Sequence, residues 1–444
     1  MKRRASLPLI AAGAAVVIGA SWVLADRLED TLFIPLDHPA IQYATREPND
    51  AVARLAARLD NKQAKLDFAP NGLGYLPALL KELNVPIDSQ VLVFSKTSIQ
   101  ANHISPRSPR AIYFNDEVSV GYVREGDVLE FSALDPRQGV KLYTMDVDQD
   151  EKPSIARRDE CLQCHQGPVT LAVPGLLISS VHPSTPGSEG HGNAFMTDHR
   201  TKFAERWGGW YATGTHGSEQ FHLGNNPNLT DPIHPGPGLR QGTQNVTNLG
   251  ERFDAKAYLA PTSDIAALMV LEHQVRMTNL LIRIGWDTRV AAQDGKLETE
   301  RKQLDAEIEE MVAYMLFGDE DQLKEPVAGV STFSKTFSQR GPRDKQGRSL
   351  RDFDLKTRLF RYPLSYMIYS AAFDALPDVV HERAYRLLYD ILTGKDQRKD
   401  IGDHSLAHLT PQDKTAILEI LSATKSNLPA YWAAPTGAQG GAQK

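Results

Sequence analysis

Residues 161 to 165 read Cys-Leu-Gln-Cys-His, and Cys161 and Cys164 are the only cysteines in a chain of 444 residues. With every thiol inside one helical turn, no cross-link can staple distant parts of the chain, so an ordinary apolar core has to hold the fold. The length is enough for roughly two or three domains, and 41% of the residues are hydrophobic against 23% charged. A disulfide between the two cysteines would close a loop too short to restrict the unfolded chain much. A thiol oxidoreductase places its C-x-x-C at a helix N-terminus after a strand, and the flanks SIARRDE and QGPVTLAVPG show no such unit. A zinc site would use both thiols, His165 and one more ligand, but no second C-x-x-C or paired histidines stand at the usual spacing.

The pentapeptide is also the signature for covalent attachment of haem c. Two thiols three residues apart can add across the two vinyl groups of a porphyrin edge, and the imidazole beside the second thiol can reach the iron; one helical turn carries all three groups. Asp159 and Glu160 precede the motif, where a helix N-terminus favours negative charge. The motif predicts Cys161 and Cys164 as thioether sites, His165 as the iron ligand and one haem c per chain, with a disulfide or a zinc ion as the alternatives. The single motif excludes two-haem and multihaem arrangements.

Haem c is attached outside the cytoplasm, and the N-terminus agrees with export. MKRR is a positively charged start, and Leu7 to Ala25 is an uncharged apolar run ending in small residues at Val23 and Ala25, the pattern of a signal peptide. Its 19 residues are also long enough to cross a bilayer, so an uncleaved inner-membrane anchor is the alternative. In both cases the chain from Asp26 onward is predicted to be periplasmic or otherwise extracytoplasmic. The net charge of -6 and the lack of a basic cluster argue against nucleic acid as a partner.

In its motif the chain resembles the c-type cytochromes. The blocks SPRAIYFND, TDHR, RWGGWYATGTHG, LEHQ and LFRYPLSYMIYS resemble a family of exported bacterial proteins with one C-x-x-C-H. That resemblance covers most of the mature chain, implies haem and export, and implies no particular reaction.

The remaining sequence predicts an α+β fold: an antiparallel β-rich part, then a loop-rich haem-binding segment and a helical C-terminal part. Residues 1–25 form the signal or anchor, 26–150 a helical then β-rich region, 151–261 the haem segment, 262–434 a helical region and 435–444 a disordered tail. NDAVARLAARLDN and YLPALLKELN have helical periodicity, with Asn49 or Asp50 capping the first and Pro77 early in the second. QVLVFSKTS, RAIYFNDEVSVGYV, VLEFSALD and VKLYTMDV predict about four antiparallel strands. Ser263 is the expected cap of a long apolar helix, followed by ERKQLDAEIEEMVAYMLFG, PDVVHERAYRLLYDILTG and TPQDKTAILEILSATK.

The haem segment concentrates imidazoles at positions 165, 182, 191, 199, 216, 222 and 234. His199 is the expected second axial ligand, with His216 the first alternative and Met196 a third; Arg200 is placed to pair a haem propionate. The competing view makes His199 a surface residue beside Asp198 and Met196 a core filler, and it makes His273 a buried partner of Glu272. Trp207, Trp210 and Tyr211 are expected to pack against the porphyrin or the sheet. A dedicated carrier needs far less chain around one haem, so docking surface for a redox partner protein is expected. The predicted function is electron transfer by an exported monohaem cytochrome c. The alternative is a haem-dependent oxidoreductase acting on peroxide or another small molecule, with His199 or His216 and Arg200 as acid and base.

Overall fold

The computed structural model describes residues 33–70, 72–147, 153–182, 194–227 and 242–433. The segments 1–25 and 435–444, and with them His191 and His234, lie outside the described residues. The fold is α+β, built on one antiparallel sheet with helices against both faces.

Among the described residues, helices α1 (Ala51–Asp60) and α2 (Leu76–Glu82) come first. Asp50 caps α1 by accepting from Val52 N–H and Ala53 N–H, both at 2.9 Å, which settles the two candidates in favour of the residue whose carboxylate reaches the first free amides. Strands β1 (Val91–Val93), β2 (Arg110–Phe114), β3 (Val118–Tyr122), β4 (Val128–Asp135) and β5 (Gly139–Asp146) follow, then β6 (Ile155–Arg157). The stretch RAIYFNDEVSVGYV holds two strands rather than one. Asn115 makes the turn between them, its Oδ1 accepting from Glu117 N–H at 2.9 Å and Val118 N–H at 2.8 Å. With β9 (Trp210–Tyr211) the sheet reaches seven strands, ordered β6-β5-β4-β3-β2-β1-β9, not about four. The two short edge strands come from the segment expected to be loop.

Side-chain alternation splits the sheet into two cores. Tyr113, Val120, Leu129, Phe131, Tyr143 and Met145 face α1 and α2. Val91, Val93, Phe114, Leu134, Val140 and Leu142 face the opposite way, toward the long helix α4 (Ile265–Gln293), which follows the single turn α3 (Leu162–His165). At 29 residues α4 is about 44 Å long. It is buried nearly all round, from Leu268 through Met277 to Trp286, because the sheet covers one side and α5 (Arg301–Met315), α6 (Phe333–Gln339), α7 (Ala371–Asp374) and α8 (Asp378–Leu392) cover others. Each fully buried leucine or isoleucine here contributes about 1.5–3 kcal/mol. The cap of α4 is Asp264, not Ser263: its carboxylate accepts from Ala266 N–H at 2.9 Å. Ser263 is taken up by the sheet instead, donating to Tyr211 O and accepting from Leu92 N–H. The last helix, α9 (Pro411–Thr424), begins in the expected way, with Thr410 and Asp413 forming a reciprocal capping box.

Candidate functional site

The Cys-Leu-Gln-Cys-His motif follows directly from edge strand β6. Arg158 extends the pairing by donating N–H to Leu142 O at 2.8 Å, and its Nε reaches across to Thr144 Oγ1 at 2.8 Å. Asp159–Cys161 then form a 3-10 turn that runs into α3, and Gln166 N–H closes on Leu162 O at 2.9 Å. Cys164 and His165 therefore fall three and four residues after Cys161, on the same side of one turn. Both thiols are free; Cys161 is half-buried and Cys164 exposed. Burial, with Glu160 and Glu130 nearby, raises the Cys161 pKa, so this sulfur is a thiol. A redox-active C-x-x-C lowers it instead.

His165 has a defined tautomer. Its Nδ1 lies 2.9 Å from Gly175 O, and a carbonyl can only accept, so Nδ1 carries the proton and Nε2 keeps its lone pair. Burial lowers the pKa of the ring, the Gly175 bond and Glu130 raise it, Arg110 lowers it, and the net effect is a decrease. The accepting carbonyl is itself fixed from the core. Asn279 of α4 accepts from Leu176 N–H and donates to Leu176 O, both at 2.9 Å. A Cβ on Gly175 would stand 2.4 Å from Asn279 Oδ1, so only glycine lets the loop come this close.

The motif stands over one face of the sheet. On that face α4 packs near Leu134 and Val140, with Gly139 close to Ile282. The same face continues through Ser132 to Glu130 and through Ile112 to Arg110. Register places Gly121 opposite both Glu130 and Ile112. Arg110 and Glu130 form an ion pair across this glycine. Glu130 also accepts from Ser98 Oγ at 2.6 Å and Gln100 Nε2 at 2.9 Å. Burial alone would raise its pKa, but Arg110 and these donors hold it below the usual carboxylate value. Arg110, Gly121 and Glu130 thus share one face of the sheet, with His165 and its 165–176 loop within electrostatic reach of both charges and Ser98 and Gln100 of the 95–100 loop bonded to Glu130. Of the five large apolar side chains left exposed among the described residues, Ile99 and Val169 stand on these loops.

The residues expected on the far side of the iron lie elsewhere. His199 is buried in the helical layer, its Nδ1 2.9 Å from His273 Nδ1 and its ring stacked on Tyr314 at 4.2 Å. Burial first, then His273, drives its pKa well below the ordinary value; it is not a surface residue. His273 Nε2 continues to Ser365 Oγ at 2.7 Å, and Glu272 pairs with Arg206 at 3.3 Å, so His273 and Glu272 have separate partners. Arg200 is committed to Asp198 at 2.7 Å and Glu310 at 3.2 Å. His216 accepts from Asn245 N–H at 3.2 Å and packs on His222, ring centroids 4.7 Å apart. None of His199, His216 and Arg200 is a partner of Cys161, Cys164 or His165. Met196 is half-buried in β8 (Phe195–Met196), paired with β7 (Ser179–Ser180). Trp210 and Tyr211 pack into the two sheet cores, and Trp207 is buried against His222.

Arg110, Glu130 and Asn279 carry no local motif. Alternation along RAIYF did offer one clue, since it puts an arginine on the face of Ile112 and Phe114. Among the described residues no three His, Cys, Asp or Glu side chains gather as an ion-binding group, which leaves the zinc reading without a ligand set there. No helix of the described residues is long and apolar enough to cross a membrane. No protein-family model, curated protein or solved structure matches the chain.

Proposed function

We propose that this chain is an exported c-type cytochrome that binds one haem covalently through Cys161 and Cys164, with His165 as iron ligand, and transfers single electrons to a redox partner protein. The observation that carries this is the His165 ring: its Nδ1 proton is spent on Gly175 O at 2.9 Å, so Nε2 has the bare lone pair an iron ligand needs. Haem, when bound, supplies a one-electron couple. The chain's own part is to hold the imidazole in one tautomer, keep the two thiols on one turn and leave an edge open. Exposed Cys164, Val169 and Ile99, on the motif and the two loops beside it, fit a cofactor edge presented to a partner.

The oxidoreductase alternative needs an acid and base above the iron. His199 and Arg200 are engaged inside the helical layer, which favours carriage. The test is a pyridine haemochrome spectrum, with reduction by a one-electron donor, of protein made in a strain competent for cytochrome c maturation. We expect a c-type spectrum and reversible reduction without peroxide turnover. Absence of haem, or rapid peroxide consumption, overturns the proposal.

A further inference from the structure

We infer that Arg110 anchors a propionate carboxylate of the haem and that Glu130 is the positioning residue that holds it there. This rests on the haem reading above and adds a charged contact to it. Arg110 and Glu130 lie on one face of the sheet beside the motif, and both act electrostatically on His165. Arg110 Nη2 is on Glu130, while its Nε is buried with no protein partner. A buried guanidinium N–H without an acceptor costs about 1–3 kcal/mol, and a carboxylate is the ligand class that a guanidinium edge binds best. Gly121 makes the arrangement possible: a Cβ there would lie 2.7 Å from Arg110 Nη2 and 2.9 Å from Nε. The glycine lets the guanidinium cross β3 toward Glu130. Ser98, Gln100 and Arg110 together satisfy Glu130, so it orients the arginine without itself competing for a donor on the cofactor side.

The full mature protein, haem attached, is the material for the test. Because the cysteines hold the cofactor, Arg110→Gln should retain one haem per chain. Loss of the positive charge favours ferric iron, so the ferric/ferrous equilibrium should shift about tenfold toward ferric, roughly 59 mV for one electron. Arg110→Lys, which keeps the charge, should return it to within threefold of the parent. Glu130→Gln should shift it the opposite way. Gly121→Ala, which displaces the guanidinium without removing charge, should move it in the Arg110→Gln direction and serves if Arg110→Gln does not fold. The reduced-minus-oxidised infrared difference spectrum should show the propionate carboxylate band moving in Arg110→Gln and unmoved in Arg157→Gln. An equilibrium within twofold of the parent in both Arg110→Gln and Gly121→Ala overturns the inference. So does an equal shift in Arg157→Gln, which would mean a diffuse charge effect. Parent protein without haem fails the functional reading instead, so the two failures are distinguishable.

Discussion

His165 and His199 are both held through Nδ1, yet their surroundings differ in kind. His165 donates its Nδ1 proton to a backbone carbonyl and lies within electrostatic reach of Arg110 and Glu130. His199 meets a second imidazole and is walled in by Tyr314 and Phe317. Its Nε2 has no protein partner, but it is sealed from solvent. A free ring nitrogen is useful to a cofactor only where the chain leaves space for one. His165 is only half-buried, whereas aromatic rings fill the space around His199.

Substitution of the two imidazoles is the sharpest way to break this comparison. His165→Ala is expected to abolish the parent absorption spectrum, while His199→Phe keeps it; a spectrum lost in both would mean that the two sites share one function. The next largest effect belongs to the helical layer alone. Arg206 and Glu272 are 3% and 0% exposed, and Arg206 also donates to His199 O and Thr201 O, each at 2.8 Å. Arg206→Met strips the donor from Glu272, His199 O and Thr201 O and should cost about 1–3 kcal/mol for each buried acceptor left unsatisfied in denaturant unfolding, with the haem spectrum of the folded fraction unchanged.

The pH dependence of stability separates the regions further. Burial raises the Glu272 carboxyl from its ordinary value of 4.5 to about 7, against the opposing pull of Arg206 and Thr197; burial likewise raises Glu320 to about 7. A carboxyl that protonates near 7 when folded and near 4.5 when exposed takes up a proton on folding between those values. Stability should therefore fall as pH rises through that window, by on the order of 3 kcal/mol for Glu272. Unfolding curves at pH 5 and pH 8 measure this, and Glu272→Gln should flatten the difference. Glu130 acts in the opposite sense, since its lowered pKa contributes stability above the ordinary carboxylate value that is lost on acidification. The smallest effect is expected from His273→Phe. It strands His199 Nδ1 and removes one of two partners of Ser365 Oγ, which keeps Met367 N–H, at about 1–3 kcal/mol, and midpoint potentials should not move.

Much of the fold was legible because its signals are local. Asp50 and Thr410 cap helices from their own sequence positions, and the strands from Arg110 to Asp146 alternate in a way that periodicity detects. The 161–165 motif is local too. The surroundings of the motif were not legible, because they come from Ser98, Arg110, Gly121, Glu130 and Gly175 on separate strands and loops, joined by sheet register and by Asn279 of the long helix. Edge strands β6 and β9 have three and two residues, too short for alternation to register. Arg200 stood beside His199 in sequence and so suggested a propionate partner. Its pair with Asp198 is as local as the motif itself, but its pair with Glu310 depends on a helix 110 residues away in sequence.

The central claim is that Cys161, Cys164 and His165 form a covalent haem site. Intact-mass spectrometry of the mature protein, from a strain that matures a control cytochrome c, tests it most directly. The expected mass is that of one chain plus one haem, unchanged by acid-acetone extraction and lost when Cys161 and Cys164 are both replaced by serine. A mass equal to the bare chain, with the control cytochrome fully loaded, would contradict it.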